Sequence, residues 1–65
     1  MKSWWIKERH NPQLGVYYVA MGQLAHKVAM KHEGASLYGF NFMNRYDTEE
    51  EYKAALKEYG IGEGK

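Results

Sequence analysis

The clearest pattern of apolar and polar positions lies near the carboxyl end of the chain. Apolar residues recur there at the spacing i, i+3, i+4 and i+7, which forms one stripe on a helix. These residues are Tyr52, Ala55, Leu56 and Tyr59. Thr48 and Glu51 precede the stripe at the spacing of a capping box, and the pair Gly60-Ile61 is typical of a Schellman ending. The pattern predicts a capped helix of about three turns.

Alternating side-chain character predicts strands in the first third of the chain. Residues 4–9 alternate with a period of two and include aromatic and β-branched side chains, which is typical of a strand. Residues 16–21 are apolar on both faces, which favours a second, central strand. The connection contains Pro12 and Gly15, which are common in turns. We therefore expect an antiparallel hairpin.

The middle of the chain contains one more helical and one more alternating pattern. We expect Gly22 to end the second strand and Gly34 to end a short helix. The apolar face of that helix consists of Leu24, Ala25, Val28, Ala29 and His32. Residues 37–46 alternate again, and Gly39 among them predicts a bulge or a close approach of two backbones.

The resulting order β-β-α-β-α predicts an α+β fold with two layers. We expect a three-stranded, mainly antiparallel sheet with both helices on one face. The partner of the third strand stays open between the first strand and the second. Residues 1–61 form a single domain in this interpretation, and residues 62–65 form a polar tail that we expect to be disordered.

Composition narrows the class of protein. The chain has 65 residues and no cysteine, which excludes disulfides and thiolate metal sites. Small domains often gain stability from a partner subunit instead. Aromatic residues are abundant, with two Trp, six Tyr and two Phe, so we expect a core built around rings. No signal-peptide pattern and no apolar run of about 20 residues is present. We therefore expect a cytoplasmic protein with no membrane partner.

The charge is unevenly distributed along the chain. Residues 1–32 carry a net charge of +4, and residues 33–65 carry −3. This asymmetry favours an anionic partner for the first half of the chain. The alternative is two ordinary solvated faces, with acidic residues placed at a helix start because the helix dipole favours them there.

The usual patterns of catalytic and metal-binding residues are missing. His26 and His32 are six positions apart, which places them about 120° apart around a helix, so they cannot share an ion as an i, i+4 pair does. The run Glu49-Glu50-Glu51 is explained by a helix start. No nucleophile elbow or phosphate-binding glycine run occurs. We predict no catalytic residue, no metal site and no cofactor, and hence a protein that is not an enzyme.

One constellation favours binding. Trp5, Lys7 and Arg9 project from the same side of the first strand, and Tyr17 joins them if the hairpin has the matching register. Because neighbouring residues on a strand point in opposite directions, Trp4 and Trp5 cannot both lie under helices on the same face. We predict that Trp5 lies on an open face and that these four residues form a binding surface. The alternative is that Trp5 belongs to the core and that Lys7 and Arg9 lie at the rim of an ordinary face.

Two functions suit such a surface. The first is a protein-interaction module or homodimer that uses an exposed aromatic sheet face, since aromatic residues dominate protein interfaces. The alternative is a nucleic-acid-binding accessory domain in which rings stack on bases and Lys7 and Arg9 contact phosphates. The segment from Tyr46 to Glu51 resembles, at the level of the fold only, the end of phage integrase arm-binding domains and of SPOR domains. No functional residue follows from that resemblance.

Overall fold

Two helices and four strands make up the fold in a computed structural model that describes residues 1–36 and 39–61. In chain order they are β1 (Lys2–Asn11), β2 (Gly15–Ala25), α1 (His26–Met30), β3 (Gly34–Ser36), β4 (Gly39–Tyr46) and α2 (Glu49–Tyr59). The strands form one sheet in the order β2-β1-β4-β3, with every neighbouring pair antiparallel. The α+β class, the antiparallel sheet and the two helices are confirmed.

The predicted number of strands is wrong. The sheet has four strands because a three-residue strand, β3, pairs with the start of β4. The element order is therefore β-β-α-β-β-α, and β4 pairs with β1, which settles the open question of its partner. Leu37 and Tyr38 of the predicted third strand, and the predicted tail at residues 62–65, lie outside the described residues.

Gly22 does not end the second strand. It lies beside an irregularity in the register, where Trp5 pairs with Gly22 and the next residue, Ile6, pairs with Ala20. Gly22 has φ 74°, a conformation that glycine adopts readily and that β-bulges often need. The bulge absorbs the extra residue, so β2 continues to Ala25 and α1 is only five residues long.

The capped helix is confirmed in detail. The Glu51 backbone N–H donates to Thr48 Oγ1 at 3.1 Å, and the Thr48 backbone N–H donates to Glu51 Oε1 at 3.3 Å. Gly60 adopts the left-handed conformation, and the Ile61 N–H donates to the Leu56 carbonyl at 2.8 Å. Local sequence therefore determines both ends of α2.

The helices lie on opposite faces of the sheet, which corrects the prediction of a single helical face. Ile6 packs with Tyr52 and Leu56 of α2. Its neighbour Trp5 points the other way and packs with Ala29 of α1. We call the two sides the α2 face and the α1 face. Two small apolar clusters, rather than one core, hold the protein together.

This arrangement accommodates both tryptophans. The Trp5 ring is 2% exposed, and its indole N–H donates to the Leu24 carbonyl at 2.9 Å. Trp4 is half-buried on the other face, with its ring 4.9 Å from the Tyr52 ring. The prediction that Trp5 lies on an open face is wrong, because each face has its own helix.

The helices cover only part of the sheet. We call the part around Trp4, Trp5 and Ile6, which packs against both helices, the covered half. The rest of the sheet, near the turn between β1 and β2, is the open half. It comprises residues 8–11 of β1, 15–17 of β2 and 39–42 of β4.

Candidate interaction surface

The open half exposes apolar side chains on the α2 face. Val16, Phe40 and Phe42 are 50%, 40% and 42% exposed. His10 lies between them, because it pairs with Val16 on one side and with Phe40 on the other. We call these four residues the aromatic patch. Exposed apolar side chains that adjoin one another indicate a binding surface, whereas isolated ones are common on any protein.

Contacts within the aromatic patch hold its rings in a defined arrangement. The Phe40 and Phe42 ring centroids are 4.6 Å apart, and the His10 ring meets Phe42 edge-on at 5.1 Å. His10 Nε2 also lies 2.6 Å from Glu8 Oε2. Ring pairs at such distances attract one another beyond simple burial. The rings of the aromatic patch are therefore held in a defined arrangement by one another.

A cavity of about 370 Å³ adjoins the patch at the turn. Two local features shape this cavity: a side-chain hydrogen-bond pair in the turn and a close contact between two backbone segments. Asn11 Oδ1 accepts from the Gln13 and Leu14 N–H groups, each at 2.8 Å, which fixes the turn. Gly39 approaches the His10 carbonyl so closely that a Cβ atom there would lie 1.8 Å from the oxygen, so the predicted close backbone approach at Gly39 is confirmed. The lining residues are His10, Asn11, Pro12, Gly15, Val16, Gly39 and Phe40.

The predicted binding residues lie on the α1 face. Lys7 pairs with Val19, and Arg9 pairs with Tyr17, so the register brings three of the four predicted residues together. The Arg9 guanidinium carbon lies 5.7 Å from the centre of the Tyr17 ring, within the range of a cation–π contact. Trp5 is separated from them by its burial under α1. Their role in binding stays a prediction.

The charge asymmetry along the chain becomes an asymmetry between faces. The α1 face carries Lys7 and Arg9 on its strand, and α1 and its end add Lys27 and Lys31. The opposite helix carries four glutamates against two lysines. The glutamates are Glu49, Glu50, Glu51 and Glu58. An anion would therefore approach the α1 face more favourably than the α2 face.

Sequence reasoning missed Val16, Phe40 and Phe42 as exposed residues. The alternation of residues 37–46 places Phe40 and Phe42 on one face of the strand but does not show whether a helix covers that face. The lengths of the predicted helix and strand indicate that part of the sheet is left uncovered. The predicted helix of about three turns is about 16 Å long, whereas a ten-residue strand is about 33 Å long. One such helix cannot cover the full length of the sheet.

Three tyrosines form a cluster where α2 crosses β2 and β4. Tyr18 and Tyr59 stack with ring centroids 4.1 Å apart. Burial raises the pKa of Tyr46 to about 12, and a hydrogen bond with Tyr59 adds to the effect. Burial also raises the pKa of Tyr18, followed by the effect of the Glu8 carboxylate. The raised pKa values keep the phenols of Tyr18 and Tyr46 neutral near pH 7.

Other site types and the comparisons give no further assignment. Within residues 1–36 and 39–61, no cluster of three or more histidine or carboxylate side chains could hold a metal ion. Neither helix of this described part has the length and apolar character needed to span a membrane. No family model matches the chain, and no curated protein or solved structure matches it.

Proposed function

We propose that this protein is a non-enzymatic interaction module that binds a protein partner through the aromatic patch. The observation that supports the proposal is the exposure of Val16, Phe40 and Phe42 side by side in the open half. Aromatic side chains at the centre of a contact supply much of the binding energy of protein interfaces. The proposal keeps the exposed aromatic sheet face expected from the sequence but moves it to the α2 face.

The shape of the site supports a protein partner. The cavity beside Phe40 has a volume of about 370 Å³, enough for an apolar side chain of a partner. The patch around it is a row of rings, which offers contact area without many polar groups. Such a surface suits an apolar anchor residue inserted beside the turn, with neighbouring contacts along β4.

A peptide-display selection on the folded protein tests this function. We expect selected peptides to carry an aromatic or aliphatic anchor, and their affinity to fall at least about tenfold in Phe42→Ser, as loss of an aromatic anchor contact predicts. Val28→Ser is a matched control, because Val28 on α1 is also 42% exposed. Peptides that bind Phe42→Ser as well as the unaltered protein would contradict the proposal.

A second candidate function is nucleic-acid binding by the α1 face. The specific observation in its favour is the contact of Arg9 with Tyr17 beside Lys7, on the face that also carries Lys27 and Lys31. Rings beside cations can stack on bases while the cations contact phosphates. This candidate expects oligonucleotide affinity to fall about 100-fold between about 50 and about 200 mM salt if four phosphates are contacted. Affinity that is absent, or unchanged in Arg9→Ala, would exclude it.

A further inference from the structure

One edge of the sheet is long and unpaired. Within the described residues, β2 (Gly15–Ala25) pairs with β1 alone, so residues 15–20 present unpaired backbone N–H and C=O groups on their outer side. Further along β2, the Gly22 N–H donates to the Tyr52 hydroxyl at 3.1 Å, and the Leu24 carbonyl accepts from the Trp5 indole.

The opposite edge consists of the three-residue strand β3, which covers residues 39–41 of β4, and of the rest of β4, which carries Arg45 and whose Met43 N–H donates to Glu33 Oε2 at 3.3 Å. Natural sheets protect their edges with short strands, charged side chains, proline or bulges, because a bare edge can pair with another strand. The β3 edge is protected by its length.

The β2 edge has only one of these protections. Its eleven residues include no charged residue and no proline. The neighbouring strand β1 shows the contrast, since it carries Lys2, Lys7, Glu8 and Arg9. The bulge at Gly22 interrupts the last part of β2 but leaves residues 15–20 in regular register with β1. A regular, uncharged stretch of edge strand is therefore available for pairing.

We propose that the β2 edge within residues 15–20 pairs antiparallel with the same stretch of a second copy of this chain, with Tyr17 or Tyr18 lying at the two-fold axis. This inference rests on the proposed function, protein binding, and names a second copy of the same chain as one partner. In this dimer, the four-stranded sheets of the two copies join into one continuous sheet. Its two-fold axis is perpendicular to the sheet, as antiparallel pairing of identical strands requires, so both aromatic patches lie on the same side.

The chemistry of the strand favours a second copy as the occupant. In a two-fold pairing, residues near the axis meet their own kind, and like charges facing each other across strands are destabilising. This strand carries no charge, so self-pairing meets no such repulsion. Valine and tyrosine predominate in the stretch, and cross-strand pairs of β-branched and aromatic residues are favourable.

A side-chain contact next to the edge adds to the interface. Tyr59 of α2 stacks on Tyr18 of β2 and remains exposed. Tyr18 has a regular cross-strand partner in Glu8 on the inner side of β2, whereas its outer side is unpaired within the described residues. A second copy would place its own Tyr18–Tyr59 pair on the same face across the axis. The interface is nevertheless small, so we expect a dimer of micromolar affinity.

Light scattering combined with amide hydrogen exchange tests the proposal. Over a series from about 1 µM to about 1 mM, which spans a weak dimer, we expect the mass to rise from that of one chain, 7.6 kDa, to twice that value. Alternate amides in residues 15–20, which are free in the monomer, become protected as the dimer forms. A monomer at every concentration would overturn the proposal. A dimer in which those amides still exchange freely would also overturn the proposal. That result would not affect the proposed binding of a partner through the aromatic patch.

Two variants separate the edge from the patch. In Tyr17→Glu, the new carboxylate lies opposite Arg9 of its own chain, which the folded monomer tolerates. In the dimer, the two new carboxylates would lie near the two-fold axis and repel each other. We expect this variant to stay folded by circular dichroism and to remain monomeric. Val28→Glu introduces the same charge on α1 and should dimerise normally. Phe42→Ser should dimerise while losing peptide binding. Dimerisation of Tyr17→Glu, or β2 protection only after a display peptide is added, would overturn self-pairing.

Discussion

The covered and open halves of the sheet are built from the same strands but differ in what surrounds them. Around Trp5 and Ile6, each face of the sheet packs against a helix, and both side chains are almost fully buried. A few residues further along β1 and β4, His10 and Phe42 contact each other, and neither belongs to the described clusters that pack against a helix. Apolar residues in the covered half therefore stabilise the fold, while those in the open half remain available to a partner.

Under the proposed function, this small domain divides stability and binding along the strands. The expectation from sequence was a division between faces, with one face for the core and the other for binding. On the α2 face, Ile6 is buried at one end of the strands, and Phe40 and Phe42 are exposed at the other. On the α1 face, Trp5 is buried, and Arg9 and Tyr17 further along are half-buried. The division follows from size, because helices of 5 and 11 residues cannot cover strands of 8 to 11 residues, whose rise per residue is about twice as large.

The largest expected effect comes from removing the core tryptophan. We predict that Trp5→Ala lowers the free energy of unfolding by about 3–5 kcal/mol, because the cavity left by a buried ring cannot collapse fully. A domain of this size has little more stability than that in total. Urea unfolding followed by circular dichroism should show a largely unfolded variant. A stable, folded Trp5→Ala protein would contradict the assignment of Trp5 to the core.

The next largest loss of stability is expected from a backbone contact at Gly39. This residue lies in the open half, so the variant tests whether that half also contributes to stability. Gly39→Ala should lose about 2–4 kcal/mol, since the new methyl group meets the His10 carbonyl and Gly39 has φ 129°. Gly15→Ala is the matched control. Gly15 also has a positive φ, 87°, but its Cβ would meet nothing within 4 Å. Equal urea midpoints for the two variants would show that the close approach at Gly39 is not constraining.

Alkaline pH should weaken the covered half. The pKa of Tyr46 is raised from 10.0 to about 12 by burial, so the folded protein retains a proton that the unfolded chain loses. This contribution to stability is complete below pH 10 and is lost as the pH rises from 10 to about 12. Urea midpoints across this range should fall less steeply in Tyr46→Phe. An identical fall in both proteins would contradict the role of Tyr46.

A smaller effect, with the opposite sign, is expected at Asn44. Its side-chain nitrogen is buried and has no hydrogen-bond partner within the described residues. Asn44 pairs with Ile6, and an unsatisfied polar group in such surroundings costs about 1–3 kcal/mol. We predict that Asn44→Val raises the free energy of unfolding by about 1 kcal/mol. Asn41→Val, in the open half, should change it by less than about 0.5 kcal/mol. Loss of stability in Asn44→Val would show that the amide is needed.

Local signals in the sequence predicted part of the fold. The capping box of Thr48 and Glu51 and the ending at Gly60 need only neighbouring residues, and both are present in the structure. The first hairpin was also predictable, since its turn residues and alternation are local. The side of the sheet on which α1 lies was not. It depends on the bulge at Gly22, which appears in sequence as an ordinary strand-ending glycine.

The candidate site, like the fold, could be predicted only where local sequence determines it. Alternation placed Lys7 and Arg9 on one side, and the register then brought Tyr17 beside Arg9. Burial of Trp5 was missed because it depends on where α1 packs, which is a tertiary contact. Exposure of Phe42 was missed for the complementary reason, since it depends on where α2 ends above the sheet.

Measuring stability and binding in the same preparation of Phe42→Ser tests most directly the division between the two halves. The account predicts a free energy of unfolding within about 1 kcal/mol of the unaltered protein, because the side chain is exposed. It also predicts at least about a tenfold loss of affinity for a selected peptide, because Phe42 is an anchor of the aromatic patch. Unchanged affinity, or a loss of stability as large as that of Trp5→Ala, would contradict it.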